Sequence, residues 1–303
     1  VFAHELLGIR PPGSSRLGLG DEAPFVGRDA ELGLLIGRLL EVTERGSPRV
    51  VLVSGEAGVG KTRLGQEVSR FAGELPGARV LWGRTAPYGE GRDLAAVAEM
   101  VRTACGISDS DDVDSARARV SRTVARLEGP SAGDRPLPPG VAERLRSLLG
   151  LEEDDLGLPR DPAAPGAPVG GDQVRRAVAA LFTALAQEGP LLLVLDDLHW
   201  ATPTMLDGLV DVAARTDGPV LLLGLGRPDM LDPPGRPAWW EQLRDTELLP
   251  VLPLEETAAD RLLRSYLGVD SGEVEGRIRS ALLSRAQGNP FFLAELLHLL
   301  VDQ

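Results

Sequence analysis

The sequence predicts an α/β fold in which a parallel sheet is covered by helices on both faces and followed by a small carboxyl-terminal helical lid. Three observations carry this. Short apolar runs at 50–53, 80–82, 191–195, 220–225 and 248–252 alternate with amphipathic helical stretches, the pattern of strands buried on both faces. A glycine-rich loop separates the first run from a helix that begins near Lys61. From Glu255 onward only helical periodicity remains, which suggests a separate small lid.

Taken in order, residues 1–22 contain Pro11-Pro12-Gly13-Ser14-Ser15 and read as a linker from an upstream domain. The core spans 23–254, and the lid begins within 255–303. A first helix keeps Leu32, Leu35, Ile36, Leu39 and Leu40 on one face, with Gly46 placed to stop it. Between 85 and 172 lies a helical insertion, interrupted by two Pro/Gly-rich stretches at 129–140 and 159–171 that read as exposed loops. A helix carrying Val174, Val178, Leu181, Phe182 and Leu185 leads into the third strand. The lack of an initiating Met and the stop after an amphipathic helix suggest a piece of a longer polypeptide, and no repeat at solenoid spacing is present.

Composition narrows the function. A chain of 303 residues with 43% hydrophobic content can bury a sizeable core. With 45 acidic and 32 basic residues and a net charge of -13, it offers no broad cationic face, so direct nucleic acid contact by this segment is not expected. A lone Cys105 excludes an internal disulfide and suits a reducing cytoplasm. No apolar run is long enough to span a bilayer, so a cytoplasmic protein without membrane contact is expected.

The chemistry concentrates in Gly55-Glu56-Ala57-Gly58-Val59-Gly60-Lys61-Thr62, the G-x4-G-K-[ST] pattern of a phosphate-binding loop. Its glycines let successive backbone N–H groups turn around phosphates, and the following helix adds its positive dipole end. Lys61 would reach the β and γ phosphates, and Thr62 would ligate Mg²⁺. Lys61 is the only lysine in the chain. That location has a physical reason, since the site needs a compact ammonium on a thin stem rather than a planar fork.

The third strand ends in Asp196-Asp197. Alone, this fits a buried strand closed by a solvated acidic turn as well as it fits a metal site. Beside the glycine-rich loop, Asp196 would hold Mg²⁺ through its water shell and Asp197 would orient or deprotonate an attacking water. His199 is read as a structural hydrogen bonder in preference to a γ-phosphate sensor acting through the acidic pair. Thr202-Pro203 opens the next helix as cap and first residue. His4 and His298 show no ligand spacing. Arg227, at the end of the fourth strand, lies at the rim where open α/β sheets bind ligands, which would let it contact the γ-phosphate; a surface arginine before a turn fits equally. Gly288-Asn289-Pro290 reads as a helix boundary, with Asn289 the only asparagine in the chain.

Val26-Gly27-Arg28-Asp29, the 55–62 loop, Leu195-Asp196-Asp197-Leu198-His199-Trp200-Ala201, Gly226-Arg227-Pro228 and Gly288-Asn289-Pro290-Phe291 occur in that order. Together they resemble the STAND branch of AAA-like P-loop NTPases, the module of bacterial LuxR-type regulators and adenylate/guanylate cyclase–ATPase fusion proteins, over residues 24–301. The opening Phe2-Ala3-His4-Glu5-Leu6-Leu7-Gly8 resembles the seam after a cyclase domain in those fusions.

The resemblance implies a sheet of order 5-1-4-3-2, an adenine pocket lined by Val26 and Arg28, and Pro290, beside Asn289, packing on the base. Arg63, directly after the loop, joins Gly55, Gly58, Val59, Gly60, Lys61 and Thr62 in the expected ATP/ADP contact set. Lys61, Asp197 and Arg227 are the expected catalytic residues, and Thr62 and Asp196 the Mg²⁺ ligands. The expected function is a slowly hydrolysing ATP switch inside a larger bacterial signalling or transcription-regulatory protein. It would be covalently linked to effector domains and able to form a homo-oligomer on activation. The alternatives are a non-hydrolysing nucleotide-holding scaffold that recruits partners, and a small-molecule kinase.

Overall fold

A computed structural model describes residues 24–87, 94–129, 137–152, 171–267 and 276–301. The linker expected over 1–22, its cyclase-like opening, His4 and most of the two Pro/Gly-rich loops lie outside the described residues. Contacts divide the chain into two compact units. The larger takes Ala30–Ala57 and Lys61–Val251; the smaller takes Gly58–Gly60 and the described residues up to Asp29 and from Leu252.

In the larger unit, helix α1 (Asp29–Arg45) leads into β1 (Arg49–Ser54), and α2 (Lys61–Glu74) into β2 (Arg79–Arg84). Three helices follow, α3 (Ala95–Ala104), α4 (Val113–Leu127) and α5 (Val141–Leu148), before α6 (Gly171–Glu188) and β3 (Leu191–Asp196). Helix α7 (Pro203–Arg215), β4 (Val220–Gly226) and β5 (Thr246–Pro250) complete it. The strands form one parallel sheet in the order β2-β3-β4-β1-β5. This is the 5-1-4-3-2 order of the P-loop NTPase fold.

Both faces of the central strands are covered, because neighbouring side chains on a strand point to opposite sides. Val50, Leu52, Leu193, Leu195, Val220 and Leu222 belong to a cluster shared with α3–α7. Val51, Val53, Leu192, Val194, Leu221 and Leu223 are buried on the opposite face. Thr202 caps α7, its hydroxyl accepting from the Met205 N–H at 3.2 Å, with Pro203 as the first helical residue, as expected.

Two local expectations are corrected. On the expected α1 face Leu35 and Leu39 are buried and Leu32 and Ile36 half-buried, but Leu40 is exposed and Val42 is buried in its place, since the apolar stripe follows the i, i+4, i+7 line. β5 occupies Thr246–Pro250, not 248–252. It pairs with β1 alone among the described strands and stays partly exposed. Its register is therefore set by backbone pairing, Val50 opposite Thr246 through Ser54 opposite Pro250, rather than by its own apolar run.

The smaller unit contains α8 (Glu256–Leu267), α9 (Gly276–Ala286) and α10 (Pro290–Val301). Its core gathers Leu254, Ala258, Leu262, Leu263, Leu282 and Leu293, with Val26 packed against it. No helix among the described residues is long and apolar enough to cross a membrane.

Candidate functional site

The chain leaves β1 at its carboxyl end, where the Gly55 N–H donates to the Gly226 carbonyl of β4 at 3.2 Å, and enters α2 six residues later. Gly58 and Gly60 hold φ of 79° and 100°, a backbone region that residues with a Cβ rarely enter. The bend they allow turns the loop directly into the N-terminus of α2 at Lys61.

Four of the expected site residues converge in the larger unit. The Thr62 hydroxyl lies 3.2 and 3.1 Å from the two carboxylate oxygens of Asp196. The backbone N–H of Asp197 donates to Asp196 Oδ1 at 2.9 Å, so the buried Asp196 carboxylate is fixed from two sides. Burial, and then the negative charge of Asp197, push its pKa above the usual carboxylate range. The Lys61 ammonium donates to the Gly55 and Glu56 carbonyls, each at 2.8 Å, so the lysine caps its own loop. Burial lowers its pKa, against the opposing pull of Asp196 and Asp197.

Asp197 takes a left-handed backbone, φ 58° and ψ 31°, which turns the chain sharply out of β3. Two residues that the sequence reading missed hold it there. Arg84, the last residue of β2, donates from Nε to Asp197 Oδ2 at 2.9 Å, and its Nη2 lies 3.8 Å from Asp196 Oδ2. The buried Thr85 hydroxyl donates to the Asp197 carbonyl. The signal was present in the parallel register, which sets Arg84 beside Asp196, but the expected strand stopped at 82 and left Arg84 outside it.

Arg227 follows β4 and lies over the exposed Trp200 ring, its Cζ 5.9 Å from the centroid. His199 packs against the same ring, centroids 5.0 Å apart. The expectation of a structural hydrogen bonder fails here: both ring nitrogens are buried and neither has a hydrogen-bond partner. The turn that carries the ring is held through Leu198 and its own backbone, so the imidazole is not what fixes it. Arg63 pairs with Glu67 one turn along α2, at 2.9 Å.

The remaining expected residues lie in the smaller unit. Arg28 is buried, and its Nη2 donates to the Val59 carbonyl at 3.1 Å and the Leu252 carbonyl at 2.5 Å. These contacts make it a brace on the backbone. Asn289 is buried and caps α10, its Oδ1 accepting from the N–H groups of Phe291 at 3.1 Å and Phe292 at 3.4 Å, with Pro290 at the first helical position. The Phe291 N–H also donates to the Gly58 carbonyl at 3.3 Å. A Cβ on Gly58 would come within 2.7 Å of Asn289 Oδ1, which gives the glycine there a packing reason as well.

The parallel sheet, the loop after β1 and the Thr62–Asp196 pair define a P-loop NTPase fold. The chain belongs to the AAA ATPase domain family, whose sequence profile matches residues 24–223. Residues 255–303 match a second family, described as a domain of unknown function (DUF8739). An uncharacterised protein of Rhizobium meliloti (strain 1021), R02095, is 28% identical over 207 residues, which are 68% of this chain and 19% of that protein. The chain thus spans about a fifth of that relative.

Among solved structures, Drosophila ORC bound to DNA matches with a TM-score of 0.53 at 14% identity, over 98% of this chain and 63% of that one. The Aeropyrum pernix ORC1 protein in complex with DNA matches at 15% identity and a TM-score of 0.45, over 91% and 59%. The expectation that charge sets nucleic acid aside is therefore corrected, because the same fold occurs in a DNA-bound assembly. Net charge sums over a whole chain, whereas contact with a phosphate backbone depends on where cations lie locally.

Proposed function

We propose that this AAA ATPase domain is a regulatory switch of the STAND type that binds ATP with Mg²⁺ and hydrolyses it slowly, within a larger bacterial signalling or transcription-regulatory protein. The observation that carries it is the Thr62 hydroxyl 3.2 and 3.1 Å from both oxygens of a buried Asp196. One hydroxyl and one carboxylate, leaving further positions to water and phosphate, suit a small hard cation. Thr62 and Asp196 would hold Mg²⁺, which supplies charge neutralisation on the polyphosphate when bound.

The chain's own groups do the rest. Lys61 exchanges the Gly55 and Glu56 carbonyls for phosphate oxygens, and the loop's N–H groups surround the phosphates. Asp197 orients the attacking water, and Arg227 meets charge developing on the γ-phosphate. Val26, Arg28 and Pro290 belong to the adenine side, and α8–α10 act as a lid. A scaffold that holds nucleotide without turning it over is the second reading, favoured by the Arg84 contact that occupies Asp197.

Single-turnover hydrolysis of Mg·ATP separates the two. The switch requires slow phosphate release that Asp197→Asn abolishes while nucleotide affinity survives. No release in the wild type would leave the scaffold, and release at the same rate in that variant would remove Asp197 from the reaction.

A further inference from the structure

His199 is the one group at the carboxyl ends of the strands, among the described residues, that the proposed reaction leaves unused and that has no partner for either ring nitrogen. It is also held firmly. Leu198 is buried in the core cluster, and the Trp200 N–H donates to the Asp197 carbonyl at 2.9 Å, closing a single tight turn. Gly226 must be bare for that turn to fit, since a Cβ there would stand 3.1 Å from the His199 backbone nitrogen and 2.4 Å from Met230 Sδ. Leaving a buried donor or acceptor unpaired forfeits its hydration without a replacement, so an orphaned imidazole on a fixed turn calls for a partner supplied by a ligand.

The surroundings indicate which ligand. Asp197 and Asp229 bring negative charge within electrostatic reach of the ring, and Arg227 and Lys61 bring positive charge. Burial, and then Arg227, lower its pKa, which keeps it neutral near pH 7 with one N–H to donate. The turn that bears it also bears Asp196 and Asp197, so the ring belongs with the outer end of a polyphosphate rather than with the base.

We propose that His199 is a further ligand-contacting residue of this site, its ring N–H donating to the terminal phosphate of a bound nucleoside triphosphate, so that it discriminates triphosphate from diphosphate. This rests on the ATPase reading above. In calorimetric titrations of the whole chain with ATPγS and with ADP, each with Mg²⁺, His199→Ala is expected to weaken ATPγS about tenfold, equivalent to ~1.4 kcal/mol, and to leave ADP unchanged. His199→Gln, which keeps an N–H donor, recovers most of the loss. Should the Ala variant not fold, His199→Phe fills the ring's volume without the donor and serves the same comparison. Equal loss for both nucleotides, or no loss for either, overturns the contact alone. Wild-type protein that bound neither nucleotide would overturn the ATPase reading together with it.

Discussion

The two ends of the sheet in the larger unit carry opposite electrostatics. At the amino ends of the strands, Arg38 donates to Glu247 at 2.6 Å, and Arg49 donates to Glu41 at 2.7 Å and Asp245 at 3.0 Å. Each pairing favours the charged form: hydrogen bonds raise the arginines and lower Asp245 and Glu247. At the carboxyl ends the shifts run the other way. Asp196 is raised, while Lys61 and His199 are lowered, and in each case burial is the largest cause. One end consists of charges already satisfied by each other. The other holds charges at a cost that an incoming anion and cation would relieve, which is how a binding site differs from a structural network.

Substitutions can break that comparison. The largest effect is expected from Lys61→Ala, with Mg·ATP affinity falling about a hundredfold by calorimetry, the loss of a charge-assisted phosphate contact. Its melting temperature should stay close to the wild-type value, because water can replace the ammonium on the exposed Glu56 carbonyl and reach the half-buried Gly55 carbonyl once the side chain is gone. Asp196→Asn should abolish the Mg²⁺ dependence of binding yet raise the melting temperature by about 2–4 °C, the shift that ~1 kcal/mol produces in a domain of this size. A fall in melting temperature would mean that the carboxylate stabilises the fold, and the contrast between the ends would be lost.

Arg49→Ala should do the reverse, lowering stability by about 1 kcal/mol in urea unfolding while nucleotide affinity holds. The smallest effect is a pH dependence. Asp245 and Glu247 have folded pKa values below their unfolded ones, so their contribution is fully present above the ordinary carboxylate range near pH 4 and is lost as pH falls through the folded values. Asp245→Asn should flatten that part of the stability curve. An unchanged slope would show that the network is idle.

The sequence exposed what is local and hid what is relational. The glycine loop, the Asp196-Asp197 ending and the caps at Thr202 and Asn289 depend on neighbours within a few positions, and all were legible. Arg84 and Thr85 act only because β2 lies beside β3, a pairing that sequence spacing does not state. β5 was misplaced by two residues because an edge strand takes its register from its partner. The isolation of the His199 ring became visible only once every nearby donor and acceptor had a position. The hydrogen bonds from Arg28 to the Val59 and Leu252 carbonyls are likewise ones that no linear pattern reveals.

Asp197 and Asp245 share a left-handed backbone, with φ of 58° and 52°, at opposite poles of the sheet. Short polar side chains tolerate this conformation far better than longer ones. Backbone shape therefore narrows which acid can stand at the active pole before any chemistry is considered. A glutamate would bring a longer reach but sit poorly on that bend, whereas asparagine keeps the bend and removes only the charge. Asn at 197 is thus the replacement that tests the proposed role of the charge while sparing the bend.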